Sequence, residues 1–233
     1  MEFSDANRFL GVFSLRSDHG KGKGGAARQG RSVTYWFAVR QEPDRFDLHA
    51  LGPNFLPTPV KVSADRQQFL ADYVTEPAVY TREVLPRLRR RLTDLGLYPD
   101  PGLDEVRNGQ PHLAALGLAA DGPEQTLSLL ESLRDVLSRE PGDAALSHCG
   151  AIVGMAIDQR KLSLLDEAME TYRKALDLSP NDDHLHFNMA RTLVELGDWQ
   201  NALAHARKAL DLNPDLVHAR KLVAYVNRKE AKA

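Results

Sequence analysis

A glycine-rich stretch near the N-terminus has the spacing of a phosphate-binding loop. Residues 19–28 read HGKGKGGAAR and contain G-x-G-x-x-G through Gly20, Gly22 and Gly25. Such a loop holds pyrophosphate when it follows a strand and opens a helix, because the helix N-terminus then faces the phosphate. Here the glycines lie between two strand-like segments, with too few residues for a crossover helix. We therefore interpret residues 17–32 as a hairpin loop and predict no nucleotide site.

Histidine and cysteine residues are the next candidates for chemistry. His184 and His186 form H-x-H, and His148 precedes Cys149. Metal ligands on one helix need i, i+3 or i, i+4 spacing to share a face, and adjacent helical residues cannot meet as nucleophile and base. We therefore predict no catalytic residue, no metal ligand and no cofactor, and a protein that is not an enzyme. Cys149 is interpreted as a small buried hydrophobic residue.

Two basic segments suggest another kind of function. The loop 20–31 carries four lysines and arginines, and five arginines lie within 82–91. Both segments would suit a nucleic-acid backbone. However, the formal net charge of the chain is −2, and leucines alternate with the arginines as in an amphipathic surface helix. A nucleic-acid-associated protein that uses these two segments is therefore an alternative to the leading hypothesis.

The composition is that of a folded, globular protein. Hydrophobic residues make up 42% of the chain and charged residues 27%. The single cysteine excludes an internal disulfide, which is typical of a reducing compartment. We find no basic start followed by an apolar run, and no stretch of roughly 18 apolar residues that would predict a membrane helix. These features predict a cytoplasmic protein without a signal peptide.

The second half of the chain contains an internal repeat. The run Arg-Lys-Ala-Leu-Asp-Leu occurs at 173–178 and again at 207–212, an offset of 34 residues. Small residues let two helices approach closely, so their recurrence at fixed places favours stacked helix pairs. The same offset relates Ala156 to Ala190, Ala168 to Ala202, Ala175 to Ala209 and Pro180 to Pro214.

This period and residue pattern resemble the tetratricopeptide repeat family, whose repeat is a pair of antiparallel helices. The best repeat carries Gly197 between its expected helices and Pro214 after them. The preceding repeat has Ser163 in place of that glycine, and a more degenerate repeat lies further upstream. The expected repeats are 110–143, 149–182 and 183–216, followed by a capping helix at 217–231.

The first half has a different character and resembles no family that we recognise. Its aromatic and β-branched segments predict strands, and two later segments predict helices. Ser63 is the expected N-cap of the first helix. Strands are predicted at 9–16, 33–40, 46–51 and 60–62, and helices at 65–73 and 79–97.

The predicted fold class is α+β. A small antiparallel β-containing domain with one or two helices is expected at 1–97. A linker dense in glycine and proline is expected at 98–109, and an all-α tetratricopeptide solenoid of about three repeats plus a capping helix at 110–233.

The resemblance also implies where a partner binds. In this family the first helices of successive repeats line a concave groove, and Asn188 matches a position where many repeats place an asparagine that binds peptide backbone. Apolar, aromatic and mostly basic side chains predominate at the corresponding positions, which suits a peptide or partner helix of acidic character. These groove residues are Val153, Ile157, Arg160, His184, Phe187, Asn188, Arg191, Val194, Glu195, Lys221, Tyr225 and Arg228.

The leading hypothesis is a non-enzymatic adaptor or scaffold whose partner is a protein or peptide, with no membrane association. A further alternative is a self-assembling scaffold, a homo-oligomer in which the capping helix stacks on another copy. A third interpretation is that the protein's own first half fills the groove.

Overall fold

The computed structural model describes residues 9–16, 33–42, 44–118, 122–138 and 141–230. The chain divides after Ala145 into two compact units. The earlier unit contains an antiparallel five-stranded sheet, and a run of helices follows it along the chain. The predicted α+β fold class is therefore confirmed.

The sheet has the strand order β4-β3-β2-β1-β5, with antiparallel neighbours. Three of its strands lie where the aromatic and β-branched segments predict them. The predicted strand 60–62 is the middle of a longer one, and the last strand is too short to leave a sequence signal. The strands are β1 (Phe9–Leu15), β2 (Tyr35–Glu42), β3 (Arg45–Leu51), β4 (Pro57–Asp65) and β5 (Tyr73–Thr75).

Helix α1 (Arg66–Asp72) packs on the sheet through Phe69, which lies 4.9 Å from Phe13 and 4.5 Å from Phe46 between ring centroids. Its N-cap is Asp65, whose carboxylate accepts a hydrogen bond from the Gln68 amide at 2.8 Å. The predicted N-cap, Ser63, is wrong. It lies in β4, where its hydroxyl donates to the Asp47 carboxylate at 2.6 Å.

Further helices share one hydrophobic core with the sheet. This core joins Phe37 of β2 to Val106, Leu113, Leu130 and Leu133. The segment 98–109, expected to be a linker, includes the start of a helix, because its apolar residues face that core. The helices are α2 (Pro77–Val79), which continues through a π-helical turn (Tyr80–Val84) into α3 (Leu85–Asp94), then α4 (Leu103–Ala115) and α5 (Pro123–Ser138).

The second unit begins inside a long helix, Pro141–Lys161, and consists of antiparallel helix pairs followed by a last helix. The small residues that share the 34-residue offset, among them Ala156, Ala168, Ala190 and Ala202, have no solvent exposure. Each lies where two helices approach closely, which is the reason for their size. The helices are α6 (Pro141–Lys161), α7 (Leu165–Leu178), α8 (Asp183–Leu196), α9 (Trp199–Leu212) and α10 (Val217–Glu230).

The turns inside the two helix pairs share one backbone geometry. Ser163 has a φ of 61°, and Gly197, which stands 34 residues later, has a φ of 78°. Both are left-handed, a conformation that glycine adopts without strain. The next helix is capped only in the later pair, where Asp198 accepts a hydrogen bond from the Asn201 amide.

Within the described ranges, no helix combines the length and the apolar character needed to cross a membrane.

Candidate partner-binding groove

The groove residues expected from the sequence lie on the first helix of each pair and on the last helix. Each of them is at least partly exposed to solvent. Helix α6 carries three, α8 carries six and α10 carries three. The heptad-like spacing along α8 leaves the opposite face, including Leu185 and Met189, for the core. The three helices thus present a set of exposed side chains separate from the buried small residues.

Contacts between neighbouring helices connect these residues. Arg160 on α6 donates a hydrogen bond to the Glu195 carboxylate on α8 at 2.6 Å, and its side chain is only 13% exposed. Phe187 on α8 lies 6.2 Å from His218 on α10 between ring centroids. These contacts link α6 to α8 and α8 to α10 on the side that carries the expected groove residues.

Two aromatic rings on this surface each have a basic side chain placed over them. The Arg191 guanidinium lies 5.7 Å from the centroid of the Phe187 ring, and the Lys229 ammonium lies 5.8 Å from that of Tyr225. Tyr225 also contacts the Trp199 ring, at 6.3 Å between centroids. A cation placed over a ring keeps its charge available to a ligand while its side chain is held in one place.

A cavity of about 650 Å³ opens between α6, the loop that follows α7, and the start of α8. Val153, Ile157, His184 and Asn188, four of the predicted groove residues, line it. Gly150 and Gly154 on α6 line it too. These two glycines leave no signal in the sequence, because glycine has no functional group that would mark a ligand contact.

The rim of the cavity is acidic. Asp182 is the N-cap of α8 and accepts a hydrogen bond from the Leu185 amide at 2.8 Å. Asp183 accepts one from the Asn213 amide group at 2.6 Å. Desolvation raises the pKa of the Asp183 carboxyl, but the bond from Asn213 and the nearby His184 together outweigh it, so its pKa lies below the ordinary value. Asp183 is therefore charged at neutral pH.

Cys149 lies in the cavity wall but is not built as a nucleophile. Burial, reinforced by Asp182, raises the pKa of its thiol to about 11, and its sulfur lies 3.6 Å from the Ala175 carbonyl oxygen. Burial lowers the pKa of the preceding His148 to about 4. The thiol is consequently protonated at neutral pH, the state in which cysteine is least reactive.

A histidine pair joins α8 to α9. His186 Nε2 lies 3.2 Å from the Pro180 carbonyl oxygen, which can only accept, so Nε2 carries the hydrogen. His186 Nδ1 is then the acceptor, and His205 Nδ1 donates to it over 3.0 Å. His184, in contrast, is exposed, so the two histidines of the H-x-H pattern lie on different faces as their spacing predicts. The pairing with His205 was not predicted.

Residues 163–226 match the model of a known family, the tetratricopeptide repeat. The C-terminal region of the chain belongs to that family. The match covers α7, α8, α9 and most of α10, which are the helices with the strongest repeat signal. No curated protein matches the chain. The tetratricopeptide repeat is in general a protein–protein interaction module and is typically non-catalytic.

The two basic segments that suggested a nucleic-acid contact lie outside the tetratricopeptide region. The loop 20–31 lies outside the described residues. In the helical segment 82–91, Arg87 pairs with Glu83 and lies over the Phe55 ring, and Arg89 donates a hydrogen bond to the Leu137 carbonyl oxygen. These two arginines therefore make contacts within the fold.

Among the described residues, no cluster of three or more histidine, cysteine, aspartate or glutamate side chains is arranged to hold a metal ion.

Proposed function

We propose that the protein is a non-enzymatic adaptor or scaffold that binds a peptide or partner helix across α6, α8 and α10. The observation that supports the proposal is the exposure of the expected groove residues on these three helices, together with the tetratricopeptide match over residues 163–226. Apolar contact with Phe187, Val194 and Ile157 would supply affinity, since aromatic and apolar anchors usually dominate binding energy.

The cations on this surface would favour a partner that carries negative charge. Arg160 is already paired with Glu195, whereas Arg191, Lys221 and Arg228 are exposed. Arginine can bind a carboxylate through two parallel hydrogen bonds, so Arg191 beside Phe187 suits an acidic residue next to an apolar one. The partner segment that fits this part of the surface therefore combines both kinds of side chain.

The test is an affinity purification from native cell extract with the wild-type protein and the Phe187→Ala/Arg191→Ala variant. We expect a partner that the wild type retains and the variant loses. The matched control is Arg173→Ala/Arg207→Ala, which removes exposed arginines at equivalent places on α7 and α9 and should retain the partner. Urea unfolding establishes that each variant is folded. If both variants and the wild type recover the same proteins, the groove is not the binding surface.

A further inference from the structure

Gly150, one of the two α6 glycines that line the cavity, is not required by the fold. Glycine inside a helix costs about 1 kcal/mol relative to alanine, so it needs a reason. Gly150 lies within a helix, and a Cβ atom added there would meet no atom within 4 Å. Neither backbone conformation nor packing explains this residue. The equivalent positions of the next repeat hold His184 and Asn188, so the missing side chains of Gly150 and Gly154 leave the cavity open.

The cavity combines an apolar floor with a negative rim. Val153 and Ile157 flank the two glycines on α6, and Asp182 and Asp183 lie opposite. Oδ1 of Asp182 accepts from the Leu185 amide, and the Asp183 carboxylate accepts from Asn213 through Oδ2 and from nearby backbone amides. A carboxylate has about four lone-pair sites, so both side chains can accept a further hydrogen bond.

The charge of this cavity is opposite to that of the remaining groove. Among the described residues that line it there are two carboxylates and no lysine or arginine. The N-terminus of α8 contributes about half a positive charge, which two carboxylates exceed. The opposite part of the groove, in contrast, exposes Arg191 and Arg228.

We propose that this cavity binds a lysine or arginine side chain of the partner peptide. The aliphatic part of that side chain lies on the helix surface left bare at Gly150, beside Val153 and Ile157, and its cation meets Asp182 and Asp183. This inference rests on the proposed function and adds to it the direction in which the peptide lies along the groove. The partner places a basic residue at the start of α8 and acidic residues towards Arg191, so only one orientation of the peptide satisfies both.

The test selects phage-displayed random peptides on the full chain and measures the affinity of the best sequences. We expect a lysine or arginine at one fixed position. Affinity should fall about ten- to a hundredfold in Asp182→Asn/Asp183→Asn, because the variant loses charged hydrogen bonds to the peptide cation and such bonds contribute a free energy of this size. Asparagine is as good an N-cap as aspartate, so α8 should remain intact.

Gly150→Leu is the second variant. The added side chain enters open space and improves helix propensity, so the protein should fold at least as well while the cavity is filled. Binding of the selected peptides should again fall about tenfold or more. The matched control, Asp166→Asn/Asp177→Asn, removes two exposed carboxylates from α7 and should leave the affinity unchanged.

The outcomes separate this inference from the proposed function. Selected peptides without a basic residue, or with full affinity for both cavity variants, overturn the inference. If those peptides still require Phe187 and Arg191, the proposed function stands without it. If no peptide is selected and the groove variant loses no cellular partner, both are wrong.

Discussion

The helix pairs α6–α7 and α8–α9, which contain the expected first and second repeats, have similar turns but differ in what stabilises them. In both, the small residues at equivalent places are fully buried, such as Ala168 and Ala202. The first repeat, expected at 149–182, buries the large ring of Tyr172, and the second, expected at 183–216, has Ala206 at the equivalent position. Helix spacing therefore depends on the alanines, while the residues around them vary.

The turns inside the two helix pairs also differ in the residues that stabilise them. The second repeat has Gly197 in the left-handed turn and Asp198 as a side-chain cap. The first has Ser163 and Leu164 at these places, and Leu164 provides no side-chain hydrogen bond. The first repeat therefore combines a large buried ring with an uncapped turn, whereas the second combines a smaller buried residue with a capped glycine turn.

Among changes that distinguish the two repeats, Tyr172→Ala is expected to have the largest effect on the free energy of unfolding. Tyr172 has no solvent exposure, so its removal leaves a cavity, and the free energy of unfolding should fall by about 3–5 kcal/mol. Urea unfolding measures it. Tyr172→Phe retains the ring and should lose far less. A loss for Tyr172→Ala below about 1 kcal/mol would contradict a first repeat that is held by this ring.

A smaller effect is expected from exchanging the turn residues. Ser163→Gly removes the strain of a left-handed non-glycine residue, which stabilises the folded protein. It also gives the unfolded chain more conformational freedom, which offsets part of that gain, so the net stabilisation should be roughly 0.5–1 kcal/mol. Gly197→Ser should destabilise by a similar amount. Thermal or urea unfolding of the two variants measures the exchange. Equal signs for both would show that the turns are not equivalent.

The smallest effect concerns pH and belongs to the second repeat alone. Burial, with His186 and Arg173 nearby, lowers the pKa of His205 below its ordinary value of 6.5. The unfolded chain then binds this proton more readily than the folded one. The contribution to stability is complete above pH 6.5 and is lost as the pH falls towards the lower folded pKa.

The first repeat supplies the control for this prediction, since it has Ile152 and Thr171 at the equivalent positions. We expect His186→Ile/His205→Thr to flatten the change in unfolding free energy between about pH 8 and about pH 5. Part of the acid dependence should remain in both proteins, because burial also lowers the pKa of His148. An unchanged slope would show that folding does not lower the pKa of His205.

The helical region was predictable because its signal is repeated. An offset of 34 residues aligns small residues with small residues, and the close approach of helices requires them there. The groove residues followed from the same alignment, and the structure places each of them on the expected helices with at least partial exposure. That they bind a partner stays a prediction.

Other features left no comparable signal. Strand β5 has only three residues, and the N-cap of α1 moved from Ser63 to Asp65 because both residue types cap helices. The pairing of His186 with His205 depends on how two helices meet, which spacing along one helix does not reveal. The cavity over Gly150 is defined by absent side chains, and glycine carries no functional group that would mark a site in the sequence.

The buried thiol has a practical consequence for labelling. Cys149 is the single cysteine of the chain, and its pKa of about 11 leaves very little thiolate at neutral pH. Maleimide dyes react with thiolates. A cysteine introduced at an exposed position such as Lys208 would therefore take a fluorophore selectively, and the native residue would not have to be replaced.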